Sequence, residues 1–254
     1  MPSPAVPSLA RRALLAALLT AAVPADSLRF APSCAGVARS ASRAHVKLGQ
    51  GVVVEDGFII NKNPATGEVI GRVPVSTREN VDAAVAAAQE AQRQWSALPL
   101  AERTELVSAA VRRIGDELTL AELITREMGK TLQESKDEVA DNSDMDAYCE
   151  AVMRANEPET HGSSIIVRHP HGVVSVCAPW NYPIEEIVLL SIPALVAGNA
   201  VVIKPSEVVP LSGEKVVGAL MAGLNDRFPG LVNLVQGDGV WRGFKLVPLM
   251  VREP

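Results

Sequence analysis

At 254 residues, with 48% hydrophobic but only 4% aromatic residues, the chain is long enough for one large domain or two smaller ones, and its core must come from Ala, Val, Leu and Ile. The net charge of −5 is uneven: residues 1–54 hold six basic side chains (Arg11, Arg12, Arg29, Arg39, Arg43, Lys47) and one acid, Asp26, a surplus of five positive charges that leaves the remainder at −10. An acidic body excludes nonspecific nucleic-acid binding, which needs a basic face. Three widely spaced cysteines, Cys34, Cys149 and Cys177, with no CxxC and no Cys/His run of zinc spacing, exclude a disulfide framework. His161, His169 and His171 lie close in sequence, but a third ligand is lacking; they read as exposed turn and strand-end histidines, and no metal is expected.

In chain order, Arg11-Arg12 precede an apolar run from Ala13 to Val23, and Ala25 offers a small residue for cleavage, the order of a secretory signal. The run is shorter than the roughly twenty residues a membrane span needs, so no transmembrane helix is expected in the mature chain. Residues 27–47 continue rich in Ser, Ala and Arg without an acid, as organelle transit peptides do. A signal followed by such a stretch suits a plastid reached through the secretory route. A plain mitochondrial or plastid presequence is simpler, and secretion is the remaining route. Residues 1–50 are therefore set aside as a targeting leader, removed or disordered.

Val52-Val53-Val54 and Phe58-Ile59-Ile60 read as short strands, Asn63-Pro64-Ala65-Thr66-Gly67-Glu68 as a turn, and Val69 to Val73 as a returning strand. Ser76-Thr77-Arg78-Glu79 reads as a capping box opening a helix with Val81, Val85, Ala88 and Trp95 on one face, Trp95 in the core. A second helical pattern starts near Pro99-Leu100 and carries Leu106, Ala110 and Ile114; a third, Leu120 to Met128, stops at Gly129. Glu127 and Lys130 read as a helix end and its charge, without chemistry. Thr131 to Ala155 is read as helical, burying Val139, Met145, Cys149 and Val152, and Ser164 to Arg168 as a strand. Asp146 and Glu150 disfavour a Cys149 thiolate.

Val173 to Ala178 is a short β-branched run stopped by Pro179, and Trp180-Asn181-Tyr182-Pro183 connects it to a helix over Ile184 to Val196 ending at Gly198-Asn199. Ala200 to Ile203 is a second strand, closed by Lys204-Pro205-Ser206-Glu207. Strand, helix and strand in about thirty residues is a βαβ unit, with a ligand expected at the C-terminal ends of its parallel strands. Asn181 follows the first strand, where an uncharged amide can donate to a developing oxyanion. Lys204 and Glu207 follow the second, where a nucleotide ribose needs hydroxyl acceptors and a cation. Leu211 to Phe228 is helical, Leu231 to Val235 a third strand, and Gly237-Asp238-Gly239 a glycine loop that lets backbone approach a phosphate.

Pro179-Trp180-Asn181-Tyr182-Pro183 and Gly198-Asn199-Ala200-Val201-Val202-Ile203-Lys204-Pro205-Ser206-Glu207 resemble the cofactor-domain motifs of the NAD(P)-dependent aldehyde dehydrogenase superfamily. The resemblance extends to Asn63-Pro64-Ala65-Thr66-Gly67-Glu68, Glu127-Met128-Gly129-Lys130 and Gly237-Asp238-Gly239, and so covers about residues 51–240. It implies an α/β fold: a partial, incomplete Rossmann-like parallel sheet with flanking helices, the N-terminal part of the family's cofactor domain. Residues 241–254 depart from it as a divergent tail, for which a mistaken gene end or retained intron is one account.

The family mechanism implied is attack of a cysteine thiolate on an aldehyde, hydride transfer to nicotinamide, and thioester hydrolysis by glutamate-activated water. Onto this sequence it places Asn181 as the oxyanion amide. The cofactor contacts it implies are Cys177, Ala178, Pro179, Trp180, Asn181, Lys204, Ser206, Glu207, Gly237 and Gly239. NAD is the expected cofactor, with NADP open because Lys204 tolerates a 2′-phosphate. The region of Ser164 to Arg168 corresponds to an outlying hairpin through which subunits associate. The nucleophile and general base of the family fall beyond this chain. Cys177 is expected to be buried in its strand, so aldehyde would be a substrate only for an intact parent. The alternatives are a noncatalytic module that binds a dinucleotide or a partner, and a nonfunctional product. A sheet cut after its third strand is expected to aggregate or self-associate.

Overall fold

The computed structural model describes residues 52–115 and 117–237. The leader, Asp238, Gly239 and the 241–254 tail lie outside the described residues. Three antiparallel strands open the described chain, β1 (Val53–Glu55), β2 (Phe58–Lys62) and β3 (Val69–Pro74), in the order β1-β2-β3. Asn63 builds the turn between β2 and β3, its Oδ1 accepting from Ala65 N at 2.8 Å and its carbonyl from Gly67 N at 2.8 Å.

Helix α1 (Arg78–Ser96) follows. Its capping box sits one residue later than the sequence predicts: Thr77 is the N-cap and Asn80, not Glu79, is its partner, with Asn80 N donating to Thr77 Oγ1 at 3.3 Å and Thr77 N to Asn80 Oδ1 at 2.9 Å. Asn closes the box in place of a Glu because its amide oxygen, three residues after the N-cap, reaches back to the Thr77 N–H. Helices α2 (Leu100–Val111), α3 (Glu117–Met128), α4 (Leu132–Ser143) and α5 (Asp146–Asn156) come next. The predicted single helix over Thr131–Ala155 is two: Asp144 leaves helical geometry at φ −115°, ψ 78°, and the chain restarts at Asp146. Val139, Met145, Cys149 and Val152 are nevertheless all buried as expected. Strands β4 (Glu159–His161) and β5 (Ser164–Ile166) form a separate antiparallel hairpin whose residues are all exposed.

The second sheet is parallel, order β6-β7-β8, with β6 (Val173–Cys177), β7 (Ala200–Lys204) and β8 (Val232–Leu234) joined through α6 (Glu185–Val196) and α7 (Pro210–Leu224). The two crossovers step in the same direction, and with the right-handed connection usual for parallel strands α6 and α7 share one face, where they touch each other. Ala200, Val201, Val202 and Ile203 are buried in succession, so both faces of β7 are covered, the other by α1. Strand β6 is an edge among the described residues. Cys177, predicted to be buried, is exposed: a mostly apolar run does not reveal which strand of a sheet lacks a neighbour.

Helix α6 starts one residue later than predicted, at Glu185, with Ile184 as N-cap, and contains Pro193. Proline removes the N–H that would bond the Leu189 carbonyl; the Tyr148 hydroxyl donates to that carbonyl instead, at 3.2 Å. Its C-terminal carbonyls are received by side chains from α1 and α2: Trp95 Nε1 donates to Leu195 O (2.8 Å), Arg103 Nε to Val196 O (3.0 Å) and Gln92 Nε2 to Gly198 O (3.0 Å). Trp95 is fully buried, as predicted, and meets Phe228 edge to face at 5.1 Å. Helix α7 begins at Pro210, where a missing N–H costs nothing, and ends at Leu224, four residues before the predicted Phe228. Among the described residues no helix is long and apolar enough to cross a membrane.

Candidate functional site

Adjacent parallel strands β6 and β7 end side by side. Cys177 is in register with Lys204, and Ala178 N donates to Lys204 O at 3.0 Å. The loops leaving these ends, 178–184 and 205–209, therefore start from one point, at the carboxyl edge where open α/β sheets bind ligands.

In the first loop Ala178 and Pro183 are buried, while Pro179, Trp180, Asn181 and Tyr182 are exposed. The Asn181 side chain makes no hydrogen bond with another described residue, and it does not cap α6. That role falls to Glu138, on α4, whose Oε1 accepts from Ile184 N (3.1 Å) and Glu185 N (3.3 Å). Glu138 also forms an ion pair with Lys130, both side chains almost wholly buried, and Lys130 Nζ stands 4.4 Å from the centre of the Tyr182 ring. The loop is thus held from beneath by a buried pair and a cation–π contact.

In the second loop Lys204 Nζ donates to Glu207 Oε2 at 3.2 Å and to the Pro205 carbonyl at 2.8 Å, with both side chains partly exposed. Ser206 is buried, its hydroxyl accepting from Val208 N at 3.3 Å, so it shapes the loop from inside. Glu127, at the end of α3, is 1% exposed; it accepts from Leu211 N (2.7 Å), Ser212 N (2.8 Å) and the Ser212 hydroxyl. Asn61 Nδ2 donates to Val208 O and Gln236 Nε2 to Pro210 O, each at 3.0 Å. Gly213 lets α7 close on this loop: a Cβ there would lie 2.3 Å from that of Pro205. Gly237 is buried just after β8.

Burial pushes the Glu127 carboxyl up to about 7, and the Glu214 charge pushes the same way, against the hydrogen bonds from Ser212 and the backbone. The folded value lies above the unfolded one, so this contribution to stability is complete below about pH 4.5 and is lost as pH rises through about 7. The unfolding free energy of wild type relative to Glu127→Gln is expected to fall by roughly 3 kcal/mol between about pH 4.5 and pH 8. Denaturant melts of both proteins across that range check this; parallel pH profiles would contradict it.

Neither described thiol is built as a nucleophile. Burial, reinforced by Asp146, pushes Cys149 up to about 12. Cys177 is exposed beside the Ser175 hydroxyl, 3.7 Å away, and meets no described base. Among the described residues no group of three or more His, Cys, Asp or Glu side chains is placed to hold a metal ion.

The sequence missed Glu138, Asn61 and Gln236 as site residues and read Glu127 and Lys130 only as a helix terminus. The one available signal was that Glu127 and Lys130 stand in a quoted motif. The donor set fits a dinucleotide: a carboxylate for ribose hydroxyls, an ammonium beside it, and an unpartnered amide on the neighbouring loop. This parallel sheet, with α6 and α7 on one face and α1 on the other, defines a protein of the doubly wound α/β class. The model of the aldehyde dehydrogenase family matches residues 54–248, which include 241–248 of the segment expected to depart from it, and the chain belongs to that family.

Its structure is similar to lactaldehyde dehydrogenase from Escherichia coli, at 33% identity and TM-score 0.66 over 73% of this chain and 40% of that one. It is also similar to betaine aldehyde dehydrogenase from Staphylococcus aureus in complex with NAD+ (32%, 0.65, over 71% and 38%). A third similar structure is NADP-dependent glyceraldehyde-3-phosphate dehydrogenase from Bacillus halodurans C-125 complexed with NADP (31%, 0.63, over 72% and 40%). The chain thus spans about 40% of the length of these relatives.

Proposed function

We propose that this chain binds a nicotinamide dinucleotide at the carboxyl ends of β6 and β7, in the service of aldehyde oxidation. The observation that carries this reading is the Lys204–Glu207 pair at the end of β7, one strand away from the unpartnered Asn181 amide. Glu207 accepts from ribose hydroxyls and Lys204 donates to them, while the segment Cys177 to Trp180, exposed at Cys177, Pro179 and Trp180, forms the wall beside the bound cofactor. The chemistry a nicotinamide dinucleotide supplies when bound is acceptance of a hydride. Asn181 donates to the oxygen of the aldehyde as negative charge builds there, and carries no charge of its own to titrate.

A covalent step at carbon needs a thiolate; burial and Asp146 push the Cys149 thiol up to about 12, and Cys177 has no described base beside it. The chain is accordingly expected to hold the cofactor and the oxyanion amide while offering, among the described residues, no nucleophile to turn aldehyde over. Aldehyde-dependent NADH formation by the full 254-residue chain tests that, and turnover would refute it.

Glu207 also decides between cofactors. Its carboxylate suits free ribose hydroxyls and repels a 2′-phosphate, so NAD is expected to bind about tenfold or more tighter than NADP. Glu207→Gln should narrow the gap by weakening NAD and sparing NADP. Calorimetric titration of both nucleotides checks this, and an unchanged ratio would contradict the assignment.

A further inference from the structure

We propose that the α3–α4 hairpin is the positioning element of this site: Glu127 fixes the loop carrying Lys204 and Glu207, and the Glu138–Lys130 pair fixes the loop carrying Asn181. The functional part of this inference rests on the reading of those loops as cofactor and oxyanion loops.

The first N–H groups of a helix have no partner within it and are usually met by a local Ser, Thr, Asn or Asp. Helices α1 and α4 follow that rule, capped by Thr77 and Thr131 with reciprocal boxes. The two helices of the parallel sheet do not. Their N-caps are Ile184 and Val209, and neither has a side-chain cap of its own. Each instead presents two consecutive N–H groups to one buried carboxylate from the hairpin: Ile184 and Glu185 to Glu138, Leu211 and Ser212 to Glu127.

This arrangement has two consequences. The loop residues just before each helix start are relieved of capping, which leaves Asn181 without an internal partner and Glu207 free to meet Lys204. The loops are also tied, through the first turns of their helices, to a single rigid hairpin rather than to themselves. Gly129, at φ +91°, makes the corner between α3 and α4, and Pro64 lies against it, so the hairpin is braced in turn by the turn after β2. Lys130, from the same corner, neutralises Glu138 and supports the Tyr182 ring next to Asn181. Asn61 and Gln236 add one bond each to the second loop, at Val208 and Pro210. These are positioning residues, which act only through the loops they hold.

The test is peptide-resolved hydrogen exchange of the full chain at about pH 8, where Glu127 is ionised. Glu127→Met and the double variant Lys130→Met/Glu138→Met remove the acceptors, the latter without leaving a lone buried charge. Glu127→Met is expected to speed exchange in 206–213 by about tenfold or more while 178–186 and α1 keep wild-type rates, and the double variant to do the reverse. Ser212→Ala and Tyr182→Leu retain the buried charges and should show the same crossed pattern at lower amplitude, should a stronger variant not fold. Uniform acceleration of both loops and α1, or no acceleration, would overturn the proposal.

Titrating the same proteins with NAD separates the two readings. Wild-type binding weakened about tenfold in Glu127→Met supports both. The crossed exchange pattern without wild-type binding at about 1 mM NAD sinks the cofactor reading and leaves the positioning of the loops standing. Equal NAD binding with unchanged exchange sinks the positioning and leaves the cofactor reading intact.

Discussion

Glu138→Ala is expected to lower the unfolding free energy by about 3–5 kcal/mol, because it removes one member of a buried ion pair and leaves the other uncompensated. Lys130 and Glu138 side chains are 8% and 2% exposed, so water cannot replace the lost carboxylate. The same change strips the acceptor from Ile184 N and Glu185 N at the start of α6, each of which then carries its own desolvation cost. The double variant Lys130→Met/Glu138→Met should cost distinctly less than Glu138→Ala, although it changes more atoms, since no charge is left stranded. Urea melts of the three proteins decide this. A Glu138→Ala protein within about 1 kcal/mol of wild type would show that the pair is not buried as described.

Trp95→Ala should cost about as much, roughly 3–5 kcal/mol, by a different route. The indole is fully buried and meets Phe228 edge to face at 5.1 Å. Its Nε1 is the donor to Leu195 O, a carbonyl of the last turn of α6. Truncation opens a cavity between α1 and the parallel sheet and removes one donor from that carbonyl, which keeps the Gly198 N–H at 2.9 Å. Trp95→Phe separates the two terms: it keeps most of the volume and should lose mainly the hydrogen bond, about 1 kcal/mol. Thermal melts check the pair, and equal losses for Ala and Phe would contradict the packing account.

The parts of the fold legible in the sequence were those encoded locally. Val173–Ala178, the helix to Val196 and Ala200–Ile203 announced themselves by β-branched runs, helical length and the Gly198-Asn199 stop, and the parallel β6-α6-β7 unit is there. Trp95 was readable as core from the face it shares with Val81 and Ala88. What failed turned on long-range partners. Pro193 within α6 is tolerated because Tyr148, 41 residues away from Leu189, supplies the donor. Glu138 reads as one more charge on a polar helix, and its role depends on an N–H that lies 46 residues on. Cys177 is exposed although its sequence reads as buried, because a short β-branched run does not report a strand's position in the sheet. Thr131–Ala155 was read as one helix because both halves keep helical periodicity on either side of the break at Asp144. For the candidate site, residue types and positions after strands pointed to Asn181, Lys204 and Glu207, while the carboxylates that hold their loops became visible only in three dimensions.

The central claim is that the carboxyl ends of β6 and β7 grip a nicotinamide dinucleotide through Lys204 and Glu207. Calorimetric titration of NAD into wild type and into Lys204→Ala/Glu207→Ala tests it directly. Wild type is expected to bind saturably and the double variant not to bind at about 1 mM NAD. Equal heats from the two proteins, or none from wild type, would contradict it.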